Sequence, residues 1–554
     1  MVLAGLALLS ALPQIGGAWA DGPQTAGPGP GSQYGNAFAG GADVDGDGVP
    51  DYAVGAPNAA TPQFPVAGSV WIHSGADHAL IRRVDAPALD LGFGWALGLA
   101  ELDGDGRADL LVGAPGWPGG GGRDGAVYAC SGATGAVLWV NPGAGRAFYG
   151  ESLAVVPDVD GDGVLDLLAG GSDHHTATLD YAGMARLVSG ASGATLHTWT
   201  GHNAFDNFGA AVSGLTDVTG DGVPDFAIGM PGYDLFGTDR VGGVVVYDGL
   251  SFQQVVAVTV SYHGPFQQFG AQLADLGDVD GDGFGDLAVS ANVSGVQSTY
   301  DYGGRAYVLS GRSGVVLQEW AGEPGDWLGN SLAAPGDFDG DGARDLLVGL
   351  FQSTVNGASD GRGELRLYSS GSGALLQRFE GSEPLQHLDV AGVAGDADGD
   401  GFAEILVGAP YEGLAPGASQ AEGLARHLRY EPWLHPAADR LSLGSSPPLA
   451  LDLAFPPSEA GRWWALLASA AGPGSTVVAN VELPLARDGV FRLLLSGLVP
   501  PALSATRGRL DGAARATTWL LPDAVLTPLL GRRLWFAAAT PSLSSAVRSV
   551  LVEP

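Results

Sequence analysis

The 554-residue sequence contains no lysine, a single cysteine and three methionines. All 25 basic residues are arginines, a compositional trait from which nothing functional follows. The lone cysteine, Cys130, excludes an internal disulfide, so stability must come from the core and from bound metal. Cys130 sits in the apolar run Ala126-Val127-Tyr128-Ala129-Cys130 and is expected to be a buried strand thiol rather than a reactive one. Charged residues make up only 15% of the chain, and 60 of them are acidic, giving a net charge of −35. That balance disfavours nucleic acid and anionic membrane surfaces and favours cations. Beyond the N-terminus no stretch approaches the roughly 18 uninterrupted apolar residues of a membrane span. No nucleophile elbow, zinc signature or phosphate loop is present, so an enzyme is not expected.

The N-terminus is the one long apolar stretch. Residues 2–12 are apolar, and Ala18-Trp19-Ala20 forms a small-x-small cleavage site before Asp21. A signal peptide over residues 1–20 is expected, although its first residues carry no Arg or Lys. The alternative is a buried N-terminal strand. Export implies a secreted, cell-surface or periplasmic protein.

The sequence does hold a repeat. An Asp-rich nonamer occurs seven times, starting at Asp43, Glu101, Asp158, Asp217, Asp278, Asp337 and Asp396. Successive starts differ by 58, 57, 59, 61, 59 and 59 residues, and many of the 91 glycines recur in register with them. Five units open on an aromatic-Gly pair, Tyr34-Gly35, Phe93-Gly94, Tyr149-Gly150, Phe208-Gly209 and Phe269-Gly270, which decays to Leu328-Gly329 in the sixth and Leu388-Asp389 in the seventh. A short apolar strand (A) precedes the acidic loop. Strand B follows, as in Leu110-Leu111-Val112, then a variable loop, strand C, a tight turn and strand D. Four antiparallel strands in about 60 residues form a propeller blade, and neighbouring blades must cover each other's faces. The expected fold is all-β: a seven-bladed β-propeller over residues 21–430. A linear β-solenoid is the rival, but its repeats are usually much shorter. The seventh unit lacks a clear strand D. Residues 21–32 are too rich in Gly and Pro to be a confident closing strand. A three-stranded last blade is one expectation; completion by Trp433-Leu434 or Leu441-Ser442-Leu443 is the other.

Aromatic-Gly before strand A, Gly-Ala-Pro after strand B and an Asp-x-Asp-x-Asp-Gly-x-x-Asp loop between them resemble the FG-GAP repeat of integrin α chains. Gly-Ala-Pro is intact at Gly55-Ala56-Pro57, Gly113-Ala114-Pro115 and Gly408-Ala409-Pro410. It departs to Gly170-Gly171-Ser172, Gly229-Met230-Pro231, Ser290-Ala291-Asn292 and Gly349-Leu350-Phe351. The resemblance spans residues 33–430 and implies an extracellular ligand-binding or adhesion scaffold.

The acidic loops fit Ca²⁺, which takes six to eight hard oxygen ligands. Carboxylates at positions 1, 3, 5 and 9, with the position-7 carbonyl, can curl around such an ion, and glycine at position 6 permits the bend. The candidate ligands are Asp43, Asp45, Asp47 and Asp51; Glu101, Asp103, Asp105 and Asp109; Asp158, Asp160, Asp162 and Asp166; Asp217, Thr219, Asp221 and Asp225; Asp278, Asp280, Asp282 and Asp286; Asp337, Asp339, Asp341 and Asp345; and Asp396, Asp398, Asp400 and Glu404. Up to seven Ca²⁺ are expected, with the fourth site weakest because Thr219 is uncharged and less regular ligation at Glu101 and Glu404. Without the 27 carboxylates at these positions the net charge of −35 would be −8. An EF-hand would need Glu at position 12, where the first loop has Val54, and flanking helices. A solvated acidic turn without metal is the bland alternative.

Strand alternation places the A–B loops on one rim and the B–C loops on the other. The B–C loops carry Trp117, His174, His175, Tyr233, Asp234, Asp239, Tyr300, Asp301, Tyr302, Asp360 and Tyr411, which suit an extracellular protein or glycan partner. Ordinary loop packing is an equal alternative for any one of them. Asp173-His174-His175 is either a metal site or a solvated loop. Residues 431–448 are expected to be a Pro-containing linker. Beyond it the apolar runs 449–455, 463–467, 477–483, 490–495, 516–521, 534–539 and 547–552 suggest a β-sandwich over residues 449–554. Carbohydrate binding or a structural role in the cell envelope is the alternative function.

Overall fold

The computed structural model describes residues 17–432, apart from 88–91, 117–123, 235–239, 260–266, 294–301, 353, 356, 357, 360, 382–385 and 412–422. Beyond 432 it describes a set of strands by their backbone. Two compact units are present: residues 21–428, and residues 1–20 with 429–554. No helix occurs among the described residues.

The first unit is a seven-bladed β-propeller. Blade 1 consists of strand A (Phe38–Ala42), B (Asp51–Ala56), C (Ser69–His73) and D (Leu80–Asp85), paired in that order and antiparallel. Five further blades repeat this order. Every A strand neighbours the A strands of the blades on either side, the first touching the seventh, so the ring is closed. Burial follows from radial position. Every B strand is buried along its whole length between two neighbouring blades, whereas the outer D strands alternate between exposed and covered residues. That is why the B strands read as unbroken apolar runs while the D strands, such as Leu80–Asp85 and Thr195–Thr200, mix polarity. Cys130 is fully buried in a C strand, and burial pushes its thiol up to about 12.

The repeat motif explains how blades meet. A Cβ on Gly113, the first residue of a Gly-Ala-Pro, would lie 1.9 Å from the carbonyl oxygen of Gly150 in the next blade. The same contact recurs from Gly55 to Gly94 and, across the closure of the ring, from Gly408 to Gly35. The aromatic before each of these second glycines forms a parallel bridge to the preceding blade, as in Gly125 with Tyr149 and Gly423 with Tyr34. The FG and GAP glycines are therefore the two halves of one close backbone approach between blades.

The seventh blade corrects both expectations for its fourth strand. Its sheet runs, from outside inwards, Gly17–Ala26, Leu424–Pro432, Glu404–Ala409 and Val390–Gly395. The segment rejected for its glycine and proline content is the closing strand. An outermost strand tolerates Pro23, because a missing N–H on the open edge breaks no ladder bond. The closure is pinned by Gly27 N–H on the Gly423 carbonyl, at 3.0 Å, and by a Thr25–Tyr34–His73 hydroxyl–imidazole chain with both contacts at 3.0 Å. The strand begins before Ala20, so cleavage there would leave residues 21–26 to close the ring; residues 1–16 lie outside the described residues. Trp433 and Leu443 also lie outside them, and Leu434–Pro436 and Arg440–Ser442 belong to other sheets.

In the second unit Leu434–Pro436, Leu449–Ala454 and Arg515–Leu520 form one sheet. Five strands, Arg440–Ser442, Arg548–Glu553, Arg533–Ala539, Trp463–Ser469 and Arg507–Arg509, form another. Ala479–Leu485 and Gly489–Leu495 make a hairpin.

Gly113→Ala is expected to destabilise the propeller by about 1–3 kcal/mol through overpacking against a carbonyl that cannot move alone. Urea unfolding checks this; an unchanged midpoint would remove the inter-blade role given to this glycine.

Candidate metal centres and the opposite rim

Each acidic loop is organised by its own backbone amides. In loop 1 the Asp43 carboxylate accepts N–H groups from Gly46 at 2.6 Å and Gly48 at 2.8 Å. Asp45 accepts from Asp47 N–H at 3.0 Å, and Asp47 from Val49 N–H at 2.8 Å. Gly46 and Gly48 both hold positive φ, of 83° and 87°, so the loop needs glycine at position 4 as well as position 6. The pattern recurs at Asp158, Asp217, Asp278 and Asp337. In loop 2 the longer Glu101 accepts from Gly104 N–H.

Position 9 has a separate task. Asp51, Asp109, Asp166, Asp225, Asp286, Asp345 and Glu404 are all buried. One oxygen of Asp51 accepts the Val44 N–H at 2.7 Å, and the other accepts the Gly75 N–H in the C–D turn at 2.9 Å. Asp109, Asp166, Asp225 and Asp286 make the same pair of contacts. The ninth residue thus ties the acidic loop to the neighbouring turn of its own blade. In blade 6, Ser370 stands where the other turns have glycine, and Oδ1 of Asp345 has no hydrogen-bond partner.

Carboxylate oxygens of positions 1, 3 and 9 lie within 4.8 Å of one another in loops 1, 2, 3 and 6, and those of positions 1, 3 and 5 do so in loop 5. Thr219 in loop 4 donates its hydroxyl to Asp217 at 3.3 Å, where the other loops offer a carboxylate. Burial pushes the Asp345 carboxyl up to about 9, with Asp339, Asp337 and Asp341 adding to the rise. Burial likewise pushes Asp286 up to about 6, against three N–H donors that lower it. Convergent hard oxygens of this kind fit a divalent cation such as Ca²⁺. Such an ion would supply the charge these carboxylates lack and hold the loop closed.

The other rim is aromatic. Tyr302 and Trp327 stack at 5.1 Å, Phe351 and His387 at 4.2 Å, and Tyr411 meets Phe351 edge-on at 6.2 Å. His175 contacts Asp180 at 3.0 Å and packs on Tyr181, while His174 is held by the Ala144 carbonyl at 3.1 Å. Tyr233 is half-buried against the core of blades 3 and 4. Trp117, Asp239, Tyr300, Asp301 and Asp360 lie outside the described residues. Sequence reasoning passed over the residue preceding each aromatic-Gly pair. It is left-handed in every repeat: Gln33, Gly92, Phe148, Asn207, Gln268, Trp327 and His387, with φ between 50° and 99°. Six of these are not glycine, a strained conformation that recurs where chains must present side chains at a rim. Its signal was positional, since the offset from the motif never varies. Sequence reasoning also treated Asp389 only as a decayed glycine and gave Glu151 no role; both face the channel.

An FG-GAP repeat matches residues 34–73 and 93–130, and an FG-GAP-like repeat matches residues 337–407. The chain is 33% identical over 214 residues to integrin alpha-V of Gallus gallus, covering 37% of this chain and 20% of that protein. It is 31% identical over 183 residues to integrin alpha-5 of Xenopus laevis, covering 30% and 17%. It is 26% identical over 340 residues to phosphatidylinositol-glycan-specific phospholipase D of Bos taurus, covering 54% and 40%. The matched region thus spans about a fifth of the integrin relatives' length.

Asp109→Ala is expected to strand two buried N–H groups and destabilise the protein by about 2 kcal/mol or more, with or without calcium. Asp105→Asn, at an exposed position, is expected to weaken only the calcium-dependent part, as read by melting in EDTA and in excess Ca²⁺. Asp345 and Asp286 titrate higher folded than unfolded, so in metal-free protein their contribution to stability is full below about pH 4. It is lost as pH rises through about 6 and about 9. Chelated protein should therefore melt higher at pH 5 than at pH 9, and saturating Ca²⁺ should narrow the gap; a flat chelated profile would contradict the burial argument.

Proposed function

Because the chain is an FG-GAP repeat propeller similar to integrin α chains, we propose that it is an exported, calcium-stiffened scaffold that binds an extracellular protein or glycan and performs no catalysis. The observation carrying this reading is the division of labour between its rims. One rim repeats the same acidic loop in every blade. The other varies from blade to blade and displays aromatic side chains on left-handed turns. A rigid scaffold with variable loops is the usual arrangement for recognition. The candidate calcium ligands remain those of the seven loops, with loop 4 the weakest. No helix among the described residues is long and apolar enough to cross a membrane.

Stacked faces such as Tyr302–Trp327 favour a carbohydrate as a second reading, since sugar rings lie on aromatic planes. A structural role in the cell envelope would use the same surface. Similarity to a phospholipase D covers 40% of that protein, and the activity of the whole does not follow from that part.

Screening extracellular-matrix proteins and glycans with and without Ca²⁺ tests the reading. Binding is expected to need calcium and to fall at least about tenfold in Tyr302→Ala or Trp327→Ala, the scale of a lost aromatic anchor. Turnover of a polysaccharide, or binding indifferent to both substitutions, would sink it.

A further inference from the structure

At the end of the channel away from the acidic loops, the first residues of the A strands enclose a cavity of about 530 Å³. That is within the range of small-molecule sites, roughly 300–1,000 Å³. Two carboxylic acids line it, Glu151 from blade 3 and Asp389 from blade 7, across the ring from each other. Among the described lining residues there is no arginine or histidine to balance them, and the chain has no lysine at all.

Both acids owe their places to departures from the repeat. Asp389 occupies the position that is glycine in the other six units. It is 1% exposed; Oδ2 accepts from Asn330 Nδ2 at 2.7 Å, and Oδ1 has no hydrogen-bond partner. Glu151 is held by the N–H of Ser172, which replaces the proline of an intact Gly-Ala-Pro. A proline there would have no N–H to give. Phe351 replaces another such proline and lines the same cavity, with Trp95 and Tyr411 completing an aromatic wall. Burial pushes both carboxyls up to about 8, so an empty cavity holds acids poised to ionise against an arriving cation.

We propose that this cavity binds a small aliphatic amine, one ammonium group received by Asp389 against the aromatic wall, and that in a diamine the second ammonium engages Glu151. A buried carboxyl at Asp389 and a half-buried one at Glu151, with no cationic side chain among the described lining residues, favour a cation, and aromatic faces add cation–π attraction. The site shares Phe351 and Tyr411 with the rim, while its two acids belong to the channel alone.

Calorimetric titration of the full, calcium-saturated chain at about 0.15 M salt, which screens the acidic surface, tests the assignment. Titrants are 1,4-diaminobutane, spermidine, 1,4-butanediol and an acetylated Gly-Lys-Gly amide. The amines are expected to bind one to one and the diol not at all. Asp389→Asn and Glu151→Gln should each weaken amine binding at least tenfold while leaving the calcium-dependent melting shift unchanged. Should Asp389→Asn fail to fold, Trp95→Leu is expected to weaken the same binding with both acids in place. Equal affinity for the diol, or amine binding unaffected in the folded variants, overturns the proposal. Binding of the lysine peptide alone would overturn the assignment to a free amine.

Discussion

A buried carboxylate at the ninth position of each acidic loop joins local structure to the blade. In blades 1 to 5 its two oxygens take one N–H from the loop and one from the C–D turn, so the hairpin between strands A and B cannot move independently of the blade's outer half. The same anchor brings the first and third carboxylates of the loop close together. Without a cation, that closeness is repulsive and adds to the burial that raises the carboxyl of Asp345. Folding of the blade and the crowding of its loop carboxylates are thus two consequences of one buried group.

The blades are joined by a second constraint, the approach of a Gly-Ala-Pro glycine to the glycine carbonyl of the next blade's aromatic-Gly pair. A Cβ at Gly55, Gly113 or Gly408 would sit about 2 Å from that oxygen, so the motif reflects van der Waals exclusion rather than ligand chemistry. Where the motif departs, at Ser172, Phe351 and Asp389, the altered residues supply an N–H, a ring and a carboxyl to one cavity at the head of the channel.

The two rims therefore differ in kind. Glycines at fixed offsets and paired carboxylates constrain the acidic rim to one geometry in nearly every blade. The opposite rim is constrained only in its backbone, through the left-handed residue ahead of each aromatic-Gly pair. Side chains there are free to differ, and Gln33, Phe148, Trp327 and His387 do. A scaffold of this kind can change its ligand without changing its fold.

Six near-equal spacings, buried B-strand runs and the acidic nonamer were legible in the sequence because they are local and periodic. From them follow the all-β class, the blade count and the carboxylates that converge in loops 1, 2, 3, 5 and 6. The closing strand was not legible. Gly17–Ala26 has poor strand composition, and only the open edge of Leu424–Pro432, some 400 residues away, selects it. Nor was the role of Asp389 legible. In the linear chain it is a missing glycine. Only the packing of blade 7 on blade 6 sets it against Asn330, and only the ring turns a departure from the repeat into a buried acid facing a cavity. Local pattern determined the blades and their acidic loops; contacts between residues distant in sequence decided how the ring closes and what its channel holds.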